Sequence, residues 1–298
     1  MHNIMKRYKK EQNGKLEIGQ ILYTKHFTLT VDRDLCKGCE LCKLVCPREA
    51  VSLVSVKDAD GKNLPPLVDI DENKCDFHGI CAVVCPFSAI GVTANGINEL
   101  PAVKSEVFPE LIRDIKIDTE RCKPGCKKCE EKCPLGIISI ISVDNNVDNY
   151  NDTQKVNVQK ELCAGCQICW MECPGNAIEA TKFIEGSIQI DTEACEIGCR
   201  QCVKACPVDA LAIDLDGKVY AKDMNCIYCG VCLQVCPIQD ALHIERTAIR
   251  HTPVNSGAWN KGLEKITSHK GLMRELAARN TGKARKAVEN LGITEGDE

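Results

Sequence analysis

Short stretches of alternating apolar and polar residues recur along the chain, and each lies directly before a group of cysteines. The pattern occurs in FTLTVDRDL, LVDIDEN and IKIDTE, and again in KVNVQKE, SIQIDTEA and KVYAKDMN. Alternation with a period of two predicts half-buried β-strands. A small apolar stretch such as REAVSLV, LGIISI or VDALAI follows each cysteine group. The chain therefore contains six copies of strand, cysteine group and strand, which predicts an α+β fold built from one repeated unit.

The cysteines themselves follow a fixed spacing. All 23 fall in six groups, and these are CKGCELCKLVCP (36–47), CDFHGICAVVCP (75–86), CKPGCKKCEEKCP (122–134), CAGCQICWMECP (163–174), CEIGCRQCVKACP (195–207) and CIYCGVCLQVCP (226–237). The repeated form, Cys-x2-Cys-x2-Cys-x3-Cys-Pro, is the run by which bacterial ferredoxins bind [4Fe–4S] clusters. Two groups have a wider first loop that contains Gly125 or Gly198, where glycine can adopt the conformation that an enlarged loop needs.

A proline follows the last cysteine of every group. These prolines are Pro47, Pro86, Pro134, Pro174, Pro207 and Pro237. The fixed φ of proline suits the first turn of a helix. We therefore expect a short helical turn between each cysteine group and the apolar strand that follows it.

Six ligand sets follow from the spacing. In a two-cluster run, the first three cysteines bind one cluster and the fourth binds the other cluster of the pair. Pairing neighbouring groups gives set 1 (Cys36, Cys39, Cys42, Cys85), set 2 (Cys75, His78, Cys81, Cys46), set 3 (Cys122, Cys126, Cys129, Cys173), set 4 (Cys163, Cys166, Cys169, Cys133), set 5 (Cys195, Cys199, Cys202, Cys236) and set 6 (Cys226, Cys229, Cys232, Cys206). A nested pairing, in which the first group pairs with the sixth, is also sterically possible.

Set 2 contains a histidine in place of a cysteine. Aligning CDFHGIC (75–81) with CIYCGVC (226–232) puts His78 where the sixth group has Cys229. One interpretation is that His78 is a ligand, which would raise the potential of that cluster as the histidines of Rieske centres do. The other is that His78 lies beside a [3Fe–4S] cluster held by three cysteines. The remaining histidines are scattered, and we predict surface or packing roles for His2, His26, His243, His251 and His269.

Composition excludes several other classes of protein. A cysteine content this high also occurs in disulfide-rich secreted domains, but the number is odd and the basic, polar N-terminus has no apolar signal segment. A zinc ribbon uses two separated cysteine pairs rather than four cysteines in twelve residues. No apolar stretch reaches about 18 residues, so no membrane span is expected. We find no phosphate-binding loop, no dinucleotide fingerprint and no catalytic triad, so the chain is not expected to be an enzyme by itself.

Charge and aromatic content complete this picture. The formal net charge is −4, and thiolates around six cluster cores would make it roughly −15. Such a body disfavours nucleic acid as a partner. Only 4% of the residues are aromatic, so metal binding is expected to supply folding energy and the metal-free chain is expected to be largely unfolded.

Two repeats make one two-cluster domain, so the chain is expected to hold three tandem domains. The predicted segments are an N-terminal arm (1–26), ferredoxin domain 1 (27–92), a linker (93–111), domain 2 (112–182), domain 3 (183–246) and a helical C-terminal extension (247–298). Residues 258–292 carry eight Lys and Arg against three Glu. This basic extension is either a solvated helical tail or a segment that docks on an acidic partner or on the acidic domains.

The span 27–246 resembles the polyferredoxins of methanogenic archaea. Within that group, CKPGCKKCEEKC, CEIGCRQCVKAC and the tail segment GAWNKGLEKITS resemble the ferredoxin subunit of formylmethanofuran dehydrogenase, although that subunit more often carries eight runs. The resemblance implies an electron-transfer subunit in the cytoplasm of an anaerobe. It would pass electrons to a tungsten or molybdenum pterin enzyme that reduces carbon dioxide in methanogenesis.

Other functions share the same runs. The resemblance implies that a heterodisulfide reductase or a hydrogenase supplies the electrons, and the chain could instead be the polyferredoxin of either assembly. A free electron carrier that moves between enzymes is a further alternative. The last alternative is a protein in which the clusters are only structural.

Overall fold

Short strands and one-turn helices alternate along the chain. The computed structural model describes residues 6–97, 107–123, 125–141, 155–196 and 198–268. The strands are β1 (Lys6–Gln12), β2 (Lys15–Ile21), β3 (His26–Asp32), β4 (Val51–Lys57), β5 (Asn63–Ile70), β6 (Ile90–Ala94), β7 (Ile115–Ile117), β8 (Ile138–Ile141), β9 (Lys155–Val158), β10 (Ile178–Ala180), β11 (Ile184–Ile190), β12 (Leu211–Ile213), β13 (Val219–Ala221) and β14 (Leu242–Ile249). The helices are α1 (Leu41–Val45), α2 (Ile80–Val84), α3 (Lys128–Lys132), α4 (Ile168–Met171), α5 (Gln201–Ala205), α6 (Val231–Val235) and α7 (Gly257–Thr267).

Strand pairing joins neighbouring repeats. The strand before the first cysteine group, β3, pairs antiparallel with the strand after the second group, β6. In the same way β7 pairs with β10, and β11 pairs with β14. Hairpins β4–β5, β8–β9 and β12–β13 link the two repeats of each pair. These pairs are those of the neighbour scheme and not those of the nested scheme.

The first sheet has two strands that the sequence analysis did not predict. Residues 6–21 were expected to belong to an extended arm, but β1 and β2 form a hairpin that adds to β3, giving the order β1-β2-β3-β6. The turn is Asn13-Gly14, both with positive φ, which is a strong hairpin signal because a two-residue turn of this type needs φ above zero twice. Leu16 and Ile18 alternate with polar residues and are buried, so burial of this face holds the hairpin on the sheet.

The prediction of a helical turn after each Cys-Pro is wrong. The short helix lies before the fourth cysteine and ends there, as Cys46 shows with extended angles (φ −66, ψ 111). The cause is the proline, which disfavours helical angles in the residue that precedes it. After the proline the chain makes a tight turn through a left-handed residue, and these residues are Glu49, Ser88, Gly136, Asn176, Asp209 and Asp240.

The C-terminal helix α7 spans two of the paired units. Ser256 caps it by accepting a hydrogen bond from the Trp259 amide. The Trp259 side chain is fully buried, and the indole Nε1 donates to Nε2 of His251 at 3.1 Å. At Gly262, an added Cβ would lie 2.9 Å from Cδ1 of Ile80. Because the helix contacts both α1 and β14, it fixes the first and the last units against each other.

Parts of the predicted segments lie outside the described residues. These are the start of the arm (1–5), the middle of the linker (98–106) and the basic tail beyond residue 268. The end of the linker is described, and Ile112, the residue that follows it, donates its amide to the Arg250 carbonyl at 3.0 Å. Leu111 also forms an antiparallel bridge with His251.

Candidate metal centres

Each cysteine group folds into a loop that leads into a one-turn helix. The third cysteine is the second residue of the helix in every group, as Cys42 is in α1 and Cys232 is in α6. A left-handed residue precedes four of these helices, and these residues are Glu40, Gly79, Gln167 and Gly230. In the two wider loops Gly125 and Gly198 have positive φ, as the enlarged loop was expected to require. Each loop therefore places its three cysteines around one side of a common space.

Four of the predicted ligand sets each surround a cavity of their own. The cavity linings include all of set 2, set 3, set 4 and set 5, respectively. In each case the fourth ligand comes from the neighbouring cysteine group, as Cys46 does in set 2 and Cys236 does in set 5. Aliphatic side chains such as Ile70 and Val219 complete the linings.

Sets 1 and 6 are brought together in the same way. Burial raises the pKa of Cys39, and the neighbouring sulfur of Cys85 adds to that shift. Burial raises the pKa of Cys229 to about 12, with a further contribution from Cys206. Each fourth cysteine thus lies within electrostatic reach of the three-cysteine loop to which it was assigned.

The donor set suits an iron–sulfur core. All 23 cysteines are free thiols, and burial raises the pKa of Cys166 to about 11 and that of Cys169 to about 12. Thiolates so buried and so close together are stable only beside compensating positive charge, which iron supplies. Thiolate is also the soft ligand that iron–sulfur clusters take.

Backbone amides point at several of the sulfur atoms. In four groups the amide four residues after the last cysteine donates to its sulfur at 3.3–3.4 Å, and these pairs are Ala50 to Cys46, Ala89 to Cys85, Ala177 to Cys173 and Ala210 to Cys206. The left-handed turn after the proline brings each of these amides back towards the sulfur of the fourth cysteine. Hydrogen bonds to the sulfurs are one of the factors that set cluster potentials.

His78 lines the same cavity as Cys46, Cys75 and Cys81. Its Nδ1 accepts a hydrogen bond from the Ile80 amide at 3.1 Å, and its Nε2 lies 3.5 Å from Oδ1 of Asp76. Burial lowers the pKa of His78, which favours the neutral imidazole that a metal needs. Phe108 from the end of the linker packs edge-on against the ring. The position therefore suits a ligand through Nε2, with Nδ1 held by the backbone.

Within the described ranges, no three His, Cys, Asp or Glu side chains converge closely enough to hold one metal ion. In a cubane each cysteine binds a different iron, so its ligands surround a body and do not meet at a point.

The other histidines lie away from the cavities or outside the described residues. His26 contacts the Tyr8 hydroxyl at 3.1 Å, His243 is exposed, and His251 accepts from Trp259. His2 and His269 lie outside the residues that the structure describes.

Sequence reasoning missed the cations that contact the cysteine loops. Arg7 on β1 donates to the carbonyls of Glu72 and Cys75, the latter at 3.0 Å. Arg113, Lys182 and Arg246 lie beside other loops. Their sequence neighbourhoods carry no motif, because the contacts join residues far apart in the chain.

No helix among the described residues is long and apolar enough to cross a membrane.

Family models match all six cysteine groups. A model described as a 4Fe-4S dicluster domain matches residues 35–89 and 162–210, and a second of the same description matches 187–237. A 4Fe-4S binding domain matches 119–143. The match at 162–210 joins the fourth group to the fifth, whereas strand pairing joins the third to the fourth and the fifth to the sixth. The strand pairing defines the units, because the groups are too alike in spacing for the sequence to distinguish their partners.

Among curated proteins, a ferredoxin of Methanothermococcus thermolithotrophicus is 40% identical over 60 residues, which are 20% of this chain and 98% of that protein. Polyferredoxin protein MvhB of Methanothermobacter marburgensis is 32% identical over 33% of this chain and 24% of its own length. A component of the Na+-translocating ferredoxin:NAD+ oxidoreductase complex of Acetobacterium woodii is 30% identical over 48% of this chain. The chain spans 38% of that component's length.

One solved structure is similar over most of the chain. It is a chain of the formate dehydrogenase–heterodisulfide reductase–formylmethanofuran dehydrogenase complex from Methanospirillum hungatei. The two share 28% sequence identity with a TM-score of 0.78, over 88% of this chain and 91% of that one. The likeness therefore includes the arrangement of the paired units as well as the local loops.

Proposed function

The chain belongs to the 4Fe–4S ferredoxin family, and on that premise we propose that it is a polyferredoxin that conducts electrons through six clusters. The observation that carries the proposal is that four of the six predicted ligand sets each surround a separate apolar cavity. Bound clusters would supply reversible one-electron oxidation and reduction. The protein would act as an electron-transfer subunit and not as an enzyme.

The proposed ligands are those that the neighbour pairing assigns. They are Cys36, Cys39, Cys42 and Cys85; Cys75, His78, Cys81 and Cys46; Cys122, Cys126, Cys129 and Cys173; Cys163, Cys166, Cys169 and Cys133; Cys195, Cys199, Cys202 and Cys236; and Cys226, Cys229, Cys232 and Cys206. The backbone amides that donate to four of the sulfurs would stabilise the reduced, more negative state. The aliphatic linings would limit access of water and oxidants to the sulfurs.

Three tandem two-cluster domains are the proposed architecture, followed by the basic extension. The three long-range strand pairs, β3–β6, β7–β10 and β11–β14, support this division. Helix α7 then belongs to the part of the extension that packs on the domains and not to a solvated tail.

For the partner, we propose a formylmethanofuran dehydrogenase that reduces carbon dioxide in the cytoplasm of a methanogen. Likeness over 88% of this chain to a chain of a complex that contains that enzyme supports the choice. The same complex contains a heterodisulfide reductase, which would deliver the electrons. The second candidate is a polyferredoxin of a hydrogenase or heterodisulfide reductase assembly. The 32% identity to polyferredoxin protein MvhB supports the polyferredoxin class, and the similar complex from Methanospirillum hungatei contains a heterodisulfide reductase.

Iron and sulfide analysis of the anaerobically purified chain tests the cluster proposal. The runs imply about 24 iron and about 24 sulfide per chain, or about one iron fewer if set 2 holds three irons. Dithionite should bleach the visible absorbance reversibly. Stoichiometric zinc, or an iron content of only two clusters, would refute the proposal.

Affinity purification of the tagged chain from its own organism tests the partner. We expect pterin enzyme subunits in amounts equal to the bait, with tungsten or molybdenum in the eluate. Recovery with hydrogenase subunits alone would favour the second candidate, and recovery as an isolated chain would favour a free carrier.

A further inference from the structure

Three buried or half-buried cations occupy the boundaries between the paired units. Arg113 lies between the first and second units, Lys182 between the second and third, and Arg246 on β14 against the first unit. Each lies beside cysteine loops from two different units. The proposed function assigns no role to them.

Arg113 connects set 1 with set 4. Its Nη2 donates to the Cys85 carbonyl at 2.6 Å, and its Nη1 donates to the Cys163 carbonyl at 2.7 Å. The guanidinium also lies 4.7 Å from the ring centre of Phe183. Burial lowers the pKa of Arg113, and the sulfurs of Cys85 and Cys163 oppose that shift. One positive charge is thus held between ligands of two sets.

Arg246 connects set 6 with set 1. Its Nη2 donates to the Cys229 carbonyl at 3.0 Å and its Nε to the Tyr228 carbonyl at 2.7 Å. Only 7% of its surface is exposed. A Cβ added at Gly230 would lie 2.8 Å from Nη2 of Arg246 and 3.5 Å from the carbonyl of Cys39. The glycine therefore leaves room for both the guanidinium and the loop of set 1.

Lys182 connects set 4 with set 6. Its Nζ donates to the Asp223 carbonyl at 2.5 Å and lies 5.0 Å from the ring centre of Tyr228. A Cβ added at Gly165, in the loop of set 4, would lie 3.4 Å from Cα of Lys182. Burial lowers the pKa of Lys182, while Cys226 of set 6 and Cys166 of set 4 oppose that shift. Its charge therefore acts on both sets.

The three contacts close a triangle. Set 1 shares a cation with set 4, set 4 shares one with set 6, and set 6 shares one with set 1. Set 1 and set 6 also lie near each other, since Cys229 is among the groups that raise the pKa of Cys39. Sets 1, 4 and 6, one from each unit, are the inner sets, and sets 2, 3 and 5 are the outer sets.

We propose that Arg113, Lys182 and Arg246 are positioning residues that make the three inner sets a common electron junction with three outer arms. A cluster held by four thiolates is an anion, and three such anions held close together repel one another. A desolvated cation between each pair offsets that repulsion and favours the reduced state of both neighbours. The cations thereby raise the potentials of the inner clusters above the values that mutual repulsion would give. The chain then has a shared centre in place of a single linear path.

This inference rests on the six cluster sites proposed above. The test uses the full chain, purified anaerobically, with Arg113→Gln, Lys182→Gln and Arg246→Gln. Matched controls are Lys116→Gln, whose side chain is 69% exposed, and Arg250→Gln, whose side chain is 50% exposed and which directly follows β14. Each control also removes one positive charge near one of the three cations.

The readout is a redox titration followed by electron paramagnetic resonance, after iron has been counted. We expect two components per variant to shift to lower potential, with the equilibrium constant for reduction falling about tenfold, which is 59 mV for one electron. Across the three variants, three components should shift and three should not. Each shifted component should respond to two of the three variants.

Equal shifts in the controls, shifts in all components, or no shift in a fully loaded variant would overturn the junction. If Arg113→Gln retains less iron than the parent protein, Lys182→Gln and Arg246→Gln carry the test at the other two boundaries. Loss of iron in all three variants would show that the cations serve folding alone, and this result would also overturn the proposed junction. Too little iron in the parent protein would instead refute the proposed function, so the two failures are distinguishable.

Discussion

At the scale of single residues, His78 differs most from the repeated pattern. It stands where the sixth group has Cys229, lines a cavity with three cysteines, and has its Nδ1 held by the Ile80 amide. A neutral ligand in a thiolate site reduces the negative charge around the metal. The sequence identified this residue because its neighbours align with a complete group, and the structure adds the orientation of the ring.

His78→Cys replaces a neutral side chain with one that binds iron as an anionic thiolate. If His78 is a ligand of a four-iron cluster, one potential should fall and the iron content should stay the same. If set 2 holds three irons, the new thiolate should raise the iron content by about one per chain. Redox titration with iron analysis checks both, and His243→Gln is the control because His243 is exposed on β14. A variant with unchanged potential and unchanged iron would exclude His78 from the cluster.

At the scale of elements, β2 and α7 hold the repeated units in place. In β2 the buried positions alternate with polar ones, and Ile18 pairs with Leu29 of β3. In α7, Trp259 fills the space between the helix and β14 and is hydrogen-bonded to His251. Both elements lie outside the repeats, and both cover apolar surface that the small units leave exposed.

Ile18→Ala should destabilise the first sheet by about 2–4 kcal/mol, because it removes a fully buried side chain. Ile21→Ala is the matched control on the same strand, since 37% of Ile21 is exposed, and it should cost less than about 1 kcal/mol. Denaturant-induced loss of the visible absorbance, measured anaerobically, compares the two. If both variants lose the absorbance at the same denaturant concentration, the hairpin contributes no packing energy.

Trp259→Ala should release α7, with a cost of about 3–5 kcal/mol for a large buried side chain. The neighbouring Asn260 is exposed, so Asn260→Ala should have little effect. Limited proteolysis checks this prediction, because cleavage within 257–267 should accelerate only in the tryptophan variant. Protection that stays equal in the two variants would show that other contacts fix the helix.

At the scale of the whole molecule, many of the proposed ligands are themselves part of the hydrophobic cores. One core in the second unit consists of Ile115, Ile137, Ile138, Ile178 and Ala180 with Cys169. A core of this size offsets little of the conformational entropy lost on folding. A larger cluster joins residues of all three units, which ties the stability of the units together.

Removal of iron by an anaerobic chelator should therefore unfold the chain. We expect loss of circular dichroism together with loss of visible absorbance, and recovery of both when iron and sulfide are restored. Rapid digestion of the metal-free chain by protease should accompany the change. Retention of native-like secondary structure without iron would show that the protein core is sufficient by itself.

Much of the site could be predicted from the sequence, because each three-cysteine loop is a local feature of about seven residues. The direction of the chain after each fourth cysteine could not, since the predicted helical turn depends on propensity while the observed turn depends on the restriction that proline places on the residue before it. The hairpin at 6–21 could have been predicted from Asn13-Gly14 and the alternation that follows.

The sequence by itself determined the iron–sulfur class, the cysteine spacing of each loop and the repeat of the unit, because a three-cysteine loop is formed by a few adjacent residues. Only the tertiary structure decided which groups pair, how α7 spans the first and last units, and where Arg113, Lys182 and Arg246 lie. Those features depend on contacts between residues 17–194 positions apart, such as Arg246 with Cys229 and Glu40 with Gln234. Local spacing contains no information about such contacts, because packing between units selects them.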